Sequence, residues 1–229
     1  MVCSMAYSNK SRLAAICDIQ SGYTARSGLK SVPDGGVPII QLRDLRGEED
    51  FDPASATRYP LGPSFERYWA GPGDLLFRSR GERNTAVVVA PESKTAAVAV
   101  LPLIVLRPNR NIVDPRYLAW FINQAATQRY FDSCAHGTAL RMIPKACLDR
   151  LEVELPDLET QRRIIEIDSL ARREHALALK LADKKFELTS FALLKQARKT
   201  QLHANGAGQS VARQTSKSGG HVGTDKLRR

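Results

Sequence analysis

The sequence has no glycine-rich phosphate loop following a strand, no nucleophile elbow and no pair of histidines at metal-binding spacing. Nucleotide binding, acyl transfer and metal-assisted hydrolysis by their usual constellations are therefore excluded, and no catalytic residue, metal or cofactor is expected. Cysteine is scarce, and Cys3, Cys17, Cys134 and Cys147 lie far apart without the short pairs of a zinc site, which points to reduced thiols. The histidines, His136, His175, His203 and His221, are scattered. The N-terminus lacks a signal pattern, and the longest apolar run, Thr95 to Leu106, is too short to cross a bilayer and contains Pro102. These features read as a cytoplasmic protein with no membrane partner.

What the chain does have is positive charge, unevenly placed. Of the formal net charge of +10, residues from Lys195 onward supply +7, the segment from Asp157 to Leu194 is neutral, and residues 1–156 keep +3. So small an excess does not by itself demand a polyanionic partner. Its chemistry is more telling: fifteen of the nineteen cations before residue 157 are Arg, whose rigid fork of donors suits phosphates and guanine edges.

Three regimes follow one another. Residues 1–156 are punctuated by Gly and Pro, and Val37–Leu42, Asp74–Phe77, Thr85–Val89 and Leu103–Leu106 read as short strands. Tyr117, Leu118, Phe121 and Ile122 predict a helix from Pro115 to about Tyr130, capped by Asp114. The expected fold is α+β, a curled sheet with a helix against it. Residues 157–199 read as one long helix opened by Asp157, with no Gly or Pro before Gly206. Along it Ile167, Leu170, Leu177, Leu181, Leu188 and Phe191 alternate steps of three and four, as a coiled-coil seam requires, although Glu174 and Lys184 interrupt the register. A helix-turn-helix hairpin is the alternative, disfavoured because no turn residue marks a bend. Residues 200–229 are polar and basic and predict a disordered tail.

Two loops carry candidate binding chemistry. Arg78-Ser79-Arg80-Gly81-Glu82-Arg83-Asn84 places three guanidinium groups and an amide, Arg78, Arg80, Arg83 and Asn84, on one tight hairpin suited to phosphates and base edges. Gly137 to Lys145 is the second, with Arg141 and Lys145 supplying charge. The bland alternatives are a surface hairpin with fortuitous arginines and a segment returning Leu140, Met142 and Ile143 to the core. Glu48-Glu49-Asp50 with Asp52 reads as a solvated acidic turn rather than a nuclease centre. Asp114-Pro115-Arg116-Tyr117 lacks the second proline of an adenine-methyltransferase turn.

The order of these segments resembles the specificity-subunit family of type I restriction-modification enzymes. Arg12 to Gly22 looks like that family's opening, Val37 to Leu45 like its first core strand, and Gly73-Asp74-Leu75-Leu76-Phe77 like its central turn and strand. Leu103 to Gln124 resembles the strand and helix that follow, and Gly137-Thr138 the start of its closing segment. Leu155-Pro156-Asp157-Leu158-Glu159-Thr160-Gln161 resembles the junction into a long helix, with Leu155 where a first proline is usual. The resemblance, over roughly residues 12–199, implies a target recognition domain followed by a dimerisation and docking helix. It also implies double-stranded DNA, a methyltransferase subunit and a restriction subunit as partners, and no catalysis by the chain itself. The family's usual chain has two recognition domains and two helices where this one has one of each, so the apolar seam predicts a homodimer through the helix. A protein-protein adaptor that dimerises through the helix is the alternative.

Overall fold

The computed structural model describes residues 10–25, 35–45, 47, 50–61, 65–81, 83–135 and 142–215, with side chains as far as residue 198. The chain forms two compact units, residues 1–168 and 169–229.

The first unit is an α+β domain layered by strict side-chain alternation. Its first sheet sets β2 (Cys17–Ser21), β9 (Leu103–Pro108), β6 (Leu75–Arg78) and β7 (Ala86–Val88) side by side in that order, all antiparallel. Successive residues of each strand point to opposite faces, and both faces here are apolar. Leu75, Phe77, Ala86, Val88, Ile104 and Leu106 join one buried cluster; Leu76, Val87, Val89, Leu103 and Val105 join another. The second cluster fills the space to a second four-stranded sheet, in which β4 (Arg58–Tyr59), β3 (Val37–Ile40), β8 (Ala97–Ala99) and β5 (Trp69–Ala70) are neighbours. There Ile40, Ala97 and Ala99 face inward, while Ile39, Val98 and Val100 face outward under Tyr23, Phe65, Tyr68 and Trp69. The β layer is thus divided between two sheets, and among the described residues neither closes into a barrel.

Helices cover the other face of the first sheet. α1 (Leu13–Ile16), α2 (Pro115–Asn123), α3 (Ala125–Cys134) and α4 (Lys145–Arg150) bury Leu13, Tyr117, Leu118, Ile122, Phe131 and Leu148 against it. A two-stranded pair, β1 (Lys10–Arg12) with β10 (Glu152–Glu154), ties the two ends of the domain together. Gly22 sits where the chain leaves β2 with no room for a side chain: a Cβ there would lie 2.7 Å from the Leu103 carbonyl oxygen.

Four expectations are corrected here. The helix expected over 115–130 is broken at Gln124, whose backbone is extended, into α2 and α3. The last carbonyls of α2 are taken by side chains instead of by a continuing helix: Gln124 donates to Trp120, Thr127 to Phe121 and Gln128 to Ile122. Cys134 and Cys147 are not separate thiols but are joined in a disulfide between the end of α3 and the start of α4. Cys17 is free, and burial, with Asp18 and Asp74 adding, pushes its thiol up to about 12.

The remaining two corrections concern the long helix, α5 (Leu158–Thr215). It does not end at residue 199; an Ala- and Gln-containing stretch carries it over Gly206 and Gly208 to Thr215. Its first turns belong to the domain rather than to a separate segment starting at 157, because Gln161 is fully buried and Ile164 and Ile165 pack on the core. The second unit, from Ser169, is uninterrupted helix throughout its described length, so the hairpin alternative is not what forms.

Candidate nucleic-acid interface

Strand registers gather several loops at one end of the first sheet. Ser21 pairs with Ile104, Arg78 with Leu103 and Phe77 with Ala86. The exit of β2, the β8–β9 turn and the β6–β7 hairpin therefore emerge together. The segment before α4 joins them: Arg80 bridges Met142, and the Ile143 amide donates to the Ser79 carbonyl at 2.8 Å. Ser79, itself buried, donates its hydroxyl to the Pro102 carbonyl at 2.5 Å.

Within the hairpin the four predicted residues have different places. Arg78 directs its guanidinium to the carbonyls of Leu45 and Gly47, on the segment after β3. Asn84 is 3 % exposed; its amide donates to the Arg78 carbonyl at 2.9 Å and closes the hairpin neck from inside. Arg80 and Arg83 alone are exposed, and among the described residues neither guanidinium has a hydrogen-bond or ion-pair partner. Arg80 immediately precedes Gly81, which takes a positive φ of 136°, and Arg83 follows it by two residues. This is a short, neck-locked loop with two free planar forks of donors, chemistry that suits phosphate oxygens and guanine O6/N7 edges.

Of the second predicted group, Lys145 lies apart from the hairpin. Lys145 opens α4 and pairs with Asp149 at 3.0 Å. It lines a cavity of about 540 Å³ with Cys17, Asp18 and Arg107 to Asn109. Those residues lie at the far end of β2 and β9, about 17 Å along the strands from the hairpin end at roughly 3.3 Å per residue. Arg141 lies outside the described residues. At this far end Arg107 acts as a brace: it reaches Asp18 at 2.9 Å, Asp74 at 3.9 Å and the Arg67 and Trp69 carbonyls at 2.8 and 2.9 Å. Burial nonetheless holds the Asp74 carboxyl above its ordinary value.

Three further residues that the sequence reading did not single out position this interface. Asn123 and Gln128, on α2 and α3, hydrogen bond the hairpin's second limb at Ala86 and Asn84. Gln161 joins α5 to the loop before α2. Only Gln161 carried a signal, as the glutamine of the junction beginning at Leu155; nothing in the sequence marks Asn123 or Gln128.

On α5 the six predicted seam residues are all exposed: Ile167, Leu170, Leu177, Leu181, Leu188 and Phe191 are each more than half accessible. A second apolar row was not anticipated. Leu179, Phe186 and Leu193 recur every seven residues and are equally exposed. At about 100° per residue this row falls on the face opposite the seam. No described helix is long and apolar enough to cross a membrane, so these rows are not those of a membrane span. Beside the helix root an apolar groove of about 940 Å³ is lined by Tyr117, Trp120, Phe121, Leu155 and Ile164.

No protein-family model matches the sequence, and no curated protein matches it. Solved structures do. The chain superposes on one from a type I restriction-modification system, solved to explain complex assembly and conformational transition, with a TM-score of 0.57 and 23% identity over 80% of this chain and 43% of that one. It superposes on the HsdS subunit from Thermoanaerobacter tengcongensis with a TM-score of 0.56 and 23% identity, covering 76% of this chain and 39% of that subunit. The chain therefore spans less than half the length of either. What it shares with them is the fold, an α+β domain leading into a long helix.

Proposed function

We propose that this chain serves as a specificity subunit of a type I restriction-modification system, with residues 1–168 containing its recognition domain. It reads double-stranded DNA and docks the methyltransferase and restriction subunits that carry out the chemistry. The observation that carries the proposal is the neck-locked hairpin with Arg80 and Arg83 exposed at the loop-bearing end of a domain with the HsdS fold. An exposed pair of forks without a partner among the described residues is available to engage an external anion or base edge. Arg78 and Asn84 shape that loop rather than touch the duplex.

The two apolar rows of α5 support the partner assignment. A lone helix exposing Leu177, Leu181 and Leu188 on one face and Leu179, Phe186 and Leu193 on the other leaves large apolar surface wet. One row serves pairing with a second copy, through the coiled-coil seam, and the other serves the methyltransferase subunit. This chain covers 43% and 39% of its two structural neighbours, and a pair of copies with one reader each supplies two readers. The site of action is the cytoplasm, where bacterial-type restriction of DNA takes place.

Duplex binding by the full chain against salt concentration tests this. Phosphate contacts release counterions, so log K should fall linearly with log salt at about 0.9 per contact, and Arg80→Ala or Arg83→Ala should flatten the slope or relax sequence preference. A salt-independent or absent interaction with duplex contradicts the proposal and leaves the adaptor reading in its place.

A further inference from the structure

β7 is the edge strand of its sheet, and an edge strand leaves backbone groups without a neighbouring strand. At Ala86 a side chain takes the neighbour's place. Asn123, the last residue of α2, accepts from the Ala86 N–H through Oδ1 at 2.8 Å and donates from Nδ2 to the Ala86 carbonyl at 3.0 Å. One amide thus makes both bonds that an antiparallel strand would make to a single residue. Gln128 adds a donor to the Asn84 carbonyl at 3.0 Å, and Asn84 in turn ties the neck to the Arg78 carbonyl.

The other end of α2 is pinned in the same manner. Gln161 accepts from the Asp114 N–H at 2.8 Å and donates to the carbonyls of Ile112 and Pro156 at 3.1 and 2.8 Å. Asp114 is the N-cap of α2, accepting from the amides of Arg116 and Tyr117. α2 is therefore a strut of about 14 Å at 1.5 Å per residue, locked to the root of α5 at one end and to the reading hairpin at the other.

We infer that Asn123 is a positioning residue for sequence reading: through Ala86 it fixes the register at which Arg80 and Arg83 meet the bases. The inference rests on the proposed function. Its physical basis is that a planar, bidentate contact to a base edge tolerates little displacement, whereas attraction to phosphate falls off gradually. Loosening the hairpin should then cost discrimination and spare general affinity.

The test uses the full chain and a duplex library with a randomised window. Three quantities are read for each variant: the ratio of binding to the recovered preferred sequence over random duplex, the salt slope, and hydrogen exchange at the Ala86 amide. Asn123→Ala should lower the ratio roughly tenfold, within the range of one lost base contact, leave the slope unchanged and speed exchange at Ala86. Asn123→Asp keeps an acceptor for the Ala86 N–H but turns the donor facing the Ala86 carbonyl into a second acceptor, so it should lower the ratio in the same direction as Asn123→Ala. Gln128→Ala supplies an independent perturbation of the same limb, with the same direction expected, should Asn123→Ala fail to fold. An unchanged ratio in both Asn123→Ala and Gln128→Ala, while Arg80→Ala or Arg83→Ala lowers it, overturns this inference and leaves the proposed function standing. A parent chain that binds every duplex alike overturns the proposed function and this inference with it.

Discussion

Replacing Gln161 by Met removes the junction's three hydrogen bonds while keeping the side-chain volume, so no cavity term enters. The side chain is 0 % exposed, and its loss strands the Asp114 N–H and the carbonyls of Ile112 and Pro156. A buried group left without its partner costs about 1–3 kcal/mol. Ile112 is 41 % exposed and Asp114 and Pro156 are half-buried, so water can reach part of what is stranded. We therefore take the low end, about 1 kcal/mol per group and about 3 kcal/mol in all. For a unit of this size that corresponds to a fall in Tm of about 6–12 °C. Both tryptophans, Trp69 and Trp120, lie in the first unit, so their fluorescence in a urea titration reports that unit rather than the helix beyond it. The expected result is a lower midpoint at an unchanged m-value. A loss below about 1 kcal/mol would refute the reasoning, because it would mean that solvent replaces the glutamine at no cost and that the junction is not a lock.

Arg78→Ala should act on stability first, since its guanidinium serves the Leu45 and Gly47 carbonyls; thermal unfolding should shift, whereas Arg80→Ala and Arg83→Ala should leave it within about 0.5 kcal/mol, as for ordinary surface positions. On α5, Leu181→Glu should abolish self-association in analytical ultracentrifugation, while Phe186→Glu on the opposite face should leave it intact and instead weaken capture of the methyltransferase subunit. The Thr160 amide and hydroxyl hold the Asp157 carboxylate below its usual range. A depressed native value means that its stabilising contribution is present above the ordinary carboxylate pKa and is lost as pH falls through the depressed one. Asp157→Asn should accordingly flatten the acid limb of the stability profile, measured by urea midpoints between neutral pH and pH 3.

The strands that could be read were those buried on both faces, since a run such as Leu75-Leu76-Phe77 or Leu103-Ile104-Val105-Leu106 has few other uses. Of the second sheet only β3 was legible, because β4 and β5 have two residues each and β8 only three. β8 also merged with β9 into the single apolar run from Thr95 to Leu106, which the structure splits at Leu101–Pro102 between two sheets. The break at Gln124 was invisible because apolar spacing continues across it; what ends α2 is a set of local side-chain bonds that no periodicity encodes.

For the candidate site, residue type was legible and orientation was not, with one exception. Arg78 sits two residues after Leu76, so strand alternation already assigns it to the inter-sheet face, where the Leu45 and Gly47 carbonyls await it. Arg80 and Arg83, past the strand end, escape that constraint and face solvent. Asn123 and Gln128 were silent because an amide in a helix reads as solvated surface until the strand edge beside it is known.

The central claim, that this chain directs a methyltransferase to a sequence, is tested most directly by mapping methylated bases across the genome of cells with and without its gene, the catalytic subunits being present in both. One reader per chain and a twofold pair predict a motif that appears only with the gene and consists of an inverted repeat interrupted by an unread spacer. An identical methylation pattern in the two strains would contradict it.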